Sequence, residues 1–262
     1  MRRAPIGMLW RIALGTTAVA LLTAPTWAQD HQPTSRAAEK IEFVKTGLFM
    51  VSGDGGNTAV RLSGNGIILV DGKLPGHYAT LVSRAHAIAD ELPVRFVVLT
   101  GPDEQHTGTN GEFLRAGIPV VAQEHTKEML AQRAIGDEQN ALPSVTFDQE
   151  RTIRLGGVTV QLLHFGAART SGDAVVYFPD LKVVAVGDLY TSAMPVTDDG
   201  AGGSLEGWRA ALQRILQLDF DTVVPGTGPI VQRAELEALA TRIDKLAVAQ
   251  HGARLPYGAA AN

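Results

Sequence analysis

The chain has 262 residues, with 27 acidic and 23 basic side chains and a formal charge of −4. Mild acidity argues against a nucleic-acid partner, whose phosphates demand a basic face. The absence of cysteine excludes disulfides, thiol catalysis and Cys-ligated zinc, and suits an exported protein in an oxidising compartment.

Residues 1–28 read as a signal peptide. Arg2 and Arg3 open it, Ile12 to Ala24 form an apolar stretch, and Thr26-Trp27-Ala28 is a small-x-small cleavage site. The apolar run of about 13 residues is short of the ~20 that span a bilayer, and no later stretch is long and apolar enough to do so. No membrane span is therefore expected after cleavage, and the location is expected to be periplasmic or secreted. The arginine pair leaves Sec and twin-arginine export open. Cleavage removes three arginines and no acid, making the mature chain more negative. Residues 29–40, polar and containing Pro33, are expected to be a flexible lead-in, 41–252 one domain and 253–262 a disordered tail.

Within the domain, Ile41 to Val51, Thr58 to Leu62 and Ile67 to Val70 read as strands. His77 to Leu92 has helical spacing, with Leu81, Val82, Ala85 and Ile88 on one face. Val94 to Leu99 is a buried strand. A short helix over Asn110 to Arg115 closes at Gly117, Val120-Val121 lie on a strand, and Thr126 to Arg133 form another helix. Strands follow at Ser144–Phe147, Thr152–Leu155, Val158–His164, Ala174–Phe178 and Val183–Val186. Leu205–Leu216 is a helix, Thr222–Val224 a strand and Ala234–Val248 an amphipathic helix. This order is α+β and predicts two mixed sheets face to face with helices outside.

The motifs sit between these elements. Thr100-Gly101-Pro102-Asp103-Glu104-Gln105-His106-Thr107-Gly108-Thr109-Asn110 follows a strand. Gly55-Gly56-Asn57, Val70-Asp71-Gly72, Gly166-Ala167-Ala168-Arg169-Thr170-Ser171-Gly172-Asp173, Gly187-Asp188-Leu189 and Val224-Pro225-Gly226-Thr227-Gly228-Pro229 complete the set. Six such frames in this order resemble the metallo-β-lactamase superfamily, whose signatures include T-H-x-H-x-D-H-T-G-G-N, G-P-A-H-T-x-G-D and V-P-G-H-G-P. The resemblance implies an αββα sandwich and a hydrolase of ester, thioester, lactone or lactam bonds with two zinc ions.

This chain departs from the family at the ligands. Gly101, Asp103 and Gln105 stand for His, His and Asp. Arg169 and Thr227 each stand for His. His106 and the bridging Asp188 remain. Zinc needs three or four His or carboxylate ligands, and Arg169, permanently charged, would repel a divalent cation. The expectation is a pocket without bound metal, where Arg169 forms an ion cluster with Asp103 and Asp188. The alternative is one zinc ion on Asp103, His106 and Asp188. Those three are the candidate catalytic residues, with Gly101, Glu104, Gln105, Arg169, Asp173 and Thr227 around them.

Each also has a structural reading. His106 can hydrogen-bond at a helix start, Asp188 can cap a turn, Asp173 can stabilise its own turn, and Glu104 can be a solvated loop residue. His77, His86, His125 and His164 match no ligand position and read as surface or core histidines. The function expected is binding of a small molecule or a periplasmic protein without catalysis or without metal. The alternative is a hydrolase using a lone metal or a His106/Asp188 general base. A subunit docking on another enzyme is a third reading. The acidic, glycine-rich run Thr197 to Gly203 is expected at the cleft mouth as a lid or linker.

Overall fold

The computed structural model describes residues 39–90 and 92–254. The expected signal peptide, most of the expected lead-in and residues 255–262 of the expected tail lie outside the described residues. The elements run β1 (Lys40–Lys45), β2 (Leu48–Ser52), β3 (Thr58–Ser63), β4 (Gly66–Val70), α1 (Tyr78–Ile88), β5 (Val94–Val98), α2 (Glu104–Thr107), α3 (Asn110–Arg115) and β6 (Val120–Gln123). Then come α4 (Glu124–Arg133), β7 (Val145–Phe147), β8 (Glu150–Leu155), β9 (Val158–Leu163), β10 (Val175–Phe178) and β11 (Val183–Gly187). The last are α5 (Leu205–Ile215), β12 (Thr222–Pro225), β13 (Val231–Gln232) and α6 (Arg233–Arg254).

A seven-stranded sheet runs in the order β1 to β7 and a six-stranded one β13-β12-β11-β10-β9-β8. Both are mixed: β4, β5, β6 and β7 pair in parallel, as do β11 and β12, and the other pairs are antiparallel. Alternation along the central strands builds three apolar layers. Ile68, Val70 and Val98 of one sheet meet Val176, Phe178 and Ala185 of the other between the sheets. Ile67, Leu69 and Val97 face outward to α1 and α3, meeting Leu81, Ala85 and Phe113. Val175, Val184 and Val223 face the other way, against Trp208, Leu212 and Ile215 of α5 and Leu236, Leu239 and Ile243 of α6. Strands covered on both faces read as continuous apolar runs, and β4 and β11 are buried throughout.

Four local expectations need correction. Ile41 to Val51 is not one strand but the β1–β2 hairpin, broken at Thr46-Gly47, where Gly47 takes φ +76° in the left-handed region that glycine tolerates. The lead-in ends before residue 40: Lys40 begins β1, and Glu39 is buried with an oxygen 3.2 Å from His77 Nδ1. Glu104, read as a loop residue, opens a one-turn helix, α2. Residues 253 and 254 continue α6.

Candidate active site

The motif frames converge where chain leaves the C-terminal ends of two parallel strand pairs, β4/β5 and β11/β12. Much of what they retain is backbone scaffolding. Asp71, just after β4, accepts from Thr100 N (2.7 Å) and Thr100 Oγ1 (2.6 Å), which locks the start of the motif to its neighbour strand. Asn57 donates to the carbonyls of Pro225 (2.9 Å) and Gly228 (2.8 Å), and its own N–H donates to Gly226 O (2.7 Å), so one side chain ties the two sheets at the site. Asp173, nearly fully buried, accepts from Thr170 N (2.6 Å) and Thr170 Oγ1 (2.8 Å). Burial pushes its carboxyl up to about 7.

Lys73 is a fully buried lysine whose ammonium donates to the carbonyls of Val51 (2.8 Å), Gly53 (3.0 Å) and Gly56. Burial brings it down to about 8. It clamps the β2–β3 turn, whose Gly56 lies directly against the His106 ring. Gly226 has a parallel role. A Cβ there would sit 2.6 Å from Asp188 Oδ1 and 2.9 Å from His106 Cε1, so only glycine lets this loop reach the centre.

On this scaffold stands an ionic centre. His106 on α2 is wholly buried between two carboxylates, with Nδ1 3.2 Å from Asp71 Oδ2 and Nε2 3.1 Å from Asp188 Oδ2. The Nδ1 contact is close enough for an ion pair but lacks the alignment of a hydrogen bond. Burial works against protonation, yet Asp71 and Asp188 together raise the imidazole to about 10, so it is an imidazolium at neutral pH. Both its nitrogens then donate, and the 3.2 Å approach of Gln105 Nε2 to His106 Nε2 is a contact between donors. Gln105 donates instead to Asp188 Oδ1 (3.3 Å) and Oδ2 (3.2 Å).

Arg169 comes in from the turn before β10. Its Nη2 lies 2.7 Å from Asp103 Oδ2 and its Nη1 3.8 Å from Asp188 Oδ2, with the side chains about one quarter exposed or less. Asp103 occupies the N-cap of α2 but makes no capping hydrogen bond, its carboxylate being turned to the arginine. Burial raises the Asp103 carboxyl against the pull of Arg169. Burial raises Asp188 as well, but His106 and then Arg169 outweigh it and hold that carboxylate at about 2.

The structure thus brings Asp103, Gln105, His106, Arg169 and Asp188 together. Among the described residues, no group of three or more His, Asp or Glu is placed to hold a metal ion. Gly101 is buried beside Asp173, where a Cβ would lie 3.6 Å from Oδ1. Thr227 is exposed on the cavity wall above the centre. Glu104 is exposed and lines a different depression, with Pro75 and Thr107, so it is not part of this pocket. Asp188 caps no turn: its carboxylate points into the centre. Of the other histidines, His86 and His125 are exposed, and His164 bonds Asp173 O at 2.8 Å. Asp71 and Lys73 were overlooked in the sequence. Asp71 stands in a recognised frame, but nothing in its spacing tells that it faces His106, and a lysine after a turn reads as a surface residue.

Above the centre lies a cavity of about 630 Å³, walled by Gln105, Arg169, Asp188 and Thr227 on one side and by residues of the 190–199 segment on the other. That segment is less a linker than a braced rim. Asp198 Oδ1 accepts from Ala201 N (3.0 Å), and Asp198 N donates to Arg169 O (2.9 Å).

Two mixed sheets enclosed by helices, with loops meeting at strand ends, define an αββα sandwich. The chain belongs to the metallo-β-lactamase superfamily, whose profile matches residues 52–227. A metallo-β-lactamase from Pontibacter korlensis is 22% identical, superposes with a TM-score of 0.69, and is matched over 79% of this chain and 99% of its own. FIM-1 from Pseudomonas aeruginosa, solved in a mono-zinc form, gives 20% identity and a TM-score of 0.67, over 81% and 97%. In sequence the chain is 27% identical over 148 residues to the 2,4-dinitroanisole O-demethylase subunit alpha of Nocardioides sp. (strain JS1661), which is 56% of this chain and 44% of that one. The chain therefore spans less than half the length of this relative.

Proposed function

We propose that this superfamily member works without the binuclear zinc centre, as an exported protein that binds a small molecule or a partner in the cavity. One observation carries the reading: the guanidinium of Arg169 sits between Asp103 and Asp188, 2.7 Å and 3.8 Å away. The residues present do not fit zinc. Two of the carboxylates a metal would use already have a permanent cation in Arg169, at the position where the family's ligand histidine would stand. A metal ion would have to displace the guanidinium, whereas the cluster is compensated as it stands. Export rests on residues 1–28, and N-terminal sequencing of the secreted chain should begin at Gln29.

The test is metal content per chain after zinc-supplemented expression and dialysis, with thermal unfolding in the presence and absence of EDTA. The reading expects well under one zinc per chain and no change of Tm with chelator. One tightly held zinc whose removal lowers Tm would overturn it.

A second reading is favoured by the relative named as a demethylase subunit: a metal-independent hydrolase, or a subunit that joins another chain. The 3.1 Å pair of His106 Nε2 and Asp188 Oδ2 has the reach of a general base dyad. With the imidazole raised to about 10, it accepts a proton only at alkaline pH. Turnover of 4-nitrophenyl acetate or 2,4-dinitroanisole that rises toward pH 10 and vanishes in His106→Gln would support this reading. A flat, variant-independent rate would dispose of it.

A further inference from the structure

We propose that the cavity above the ionic centre takes an organic cation bearing an apolar group and turns anions away; this rests on the metal-free reading above. A volume of about 630 Å³ is ample for such a molecule. Its charged walls are Asp188, Asp198, Asp199 and Arg169; His106 beneath the floor is paired with Asp188. Both terminal nitrogens of that guanidinium are already directed at Asp103 and Asp188. Asp198 has Arg133 only at 3.8 Å. Asp199 accepts from the Thr197 hydroxyl at 2.9 Å, and among the described residues no cation pairs with it. With the floor compensated by Arg169 and His106, the excess negative charge belongs to the rim, at Asp198 and Asp199. A concave wall of one charge concentrates ligands of the other.

The apolar half of the ligand is indicated by the rim. Met194 and Val196 are each 69% exposed, and both line the cavity. They are not on a loose loop. Arg242 of α6 donates to the carbonyls of Thr191 (2.7 Å), Ser192 (3.1 Å) and Ala193 (3.3 Å), and Asp198 is tied to Arg169 on the far side. Two apolar side chains held beside an open cavity are wetted until something covers them, and methionine adapts to varied shapes. Tyr190, on the same wall, offers a ring face to an ammonium group.

The probes are benzyltrimethylammonium and phenylacetate, titrated separately into the full mature chain at low and high salt and followed by calorimetry and amide chemical shifts. The cation is expected to bind at least about tenfold tighter than the anion, with shifts confined to residues 188–199 and neighbours. Asp199→Asn, exposed and remote from the core, is expected to weaken the cation by about fivefold, and added salt to weaken it further. Phenylacetate binding equally well, or cation affinity unmoved by Asp199→Asn, would overturn the proposal. Zinc is assayed in the same sample. Stoichiometric zinc sinks the metal-free reading and this proposal with it, whereas a zinc-free chain without charge preference sinks the ligand class alone.

Discussion

Replacing Arg169 by methionine keeps an unbranched apolar stem and deletes the cation. At an effective dielectric constant near 20, charges 2.7 Å and 3.8 Å apart attract with about 6 and about 4 kcal/mol. Desolvation takes back most of this. The partners keep up to a quarter of their surface exposed, placing the net loss between that of exposed and buried pairs, about 1–3 kcal/mol at neutral pH. For a domain of this size each kcal/mol lowers Tm by about 2–4 °C. The deficit should also depend on pH. Without the guanidinium Asp103 loses its cation while Asp188 keeps His106; burial and the neighbouring Asp188 then push the folded Asp103 carboxyl further above its unfolded value, and the variant loses stability as pH climbs through it. The gap from the parent should therefore widen from pH 4 to pH 7. Urea unfolding at several pH values, with EDTA throughout, measures it. The double variant Arg169→Met/Asp103→Asn should recover part of the loss, and the cycle isolates the coupling. A gap that is absent at pH 7, constant with pH, or unaffected by Asp103→Asn would refute the charge cluster.

Arg169→His restores a ligand type at a position whose neighbours Asp188 and His106 are already in place; calorimetric zinc titration is expected to show uptake that the parent lacks. Gly226→Ala drives a methyl to within 2.6 Å of Asp188 Oδ1 and should cost about 1–3 kcal/mol, read by thermal unfolding. His106, raised to about 10, contributes stability that is complete below its unfolded value near 6.5 and fades as pH rises; stability should fall by up to about 1.4 kcal/mol per pH unit from pH 6.5 to 8. Above pH 8 the curve should flatten, because Lys73, lowered to about 8, has the opposite sign; the decline should disappear in His106→Gln. Asp71→Asn should lower the imidazole pKa, followed by NMR of His106, and cost about 1.5–3 kcal/mol through the charged hydrogen bonds to Thr100.

The sandwich was legible because buried strands such as Ile67–Val70 and Val183–Val186 are apolar throughout and because helices such as α5 repeat their apolar positions at helical spacing. The hairpin at Gly47 was missed since Thr46-Gly47 is a weak turn signal inside a continuous run of strand-forming residues. At the centre, the substitution of Arg169 for a histidine was visible as chemistry, but its distance to each carboxylate depends on how three separate loops meet. Exposure separated Glu104 from Gln105: neighbours on a one-turn helix point about 100° apart and here reach different depressions, and a motif read linearly treats them alike. Asp71 and Lys73 escaped notice because their partners, Thr100 and the 51–56 turn, are 17 to 29 residues away in sequence and are brought to them only by the packing of β4 against β5 and β3.

The grip of Arg242 on residues 191–193 has a geometric corollary. Arg242 lies nine positions beyond Arg233, where α6 begins and where another guanidinium holds the carbonyls of Leu216 and Leu218. Two arginine anchors on one helix work together only in one rotational phase. Deleting a single residue between them would turn Arg242 by about 100° and draw it back about 1.5 Å. The cavity wall would lose its fastening although no residue lining it had changed. The length of α6 between its anchors is therefore as much a part of the pocket's specification as the side chains that face the ligand.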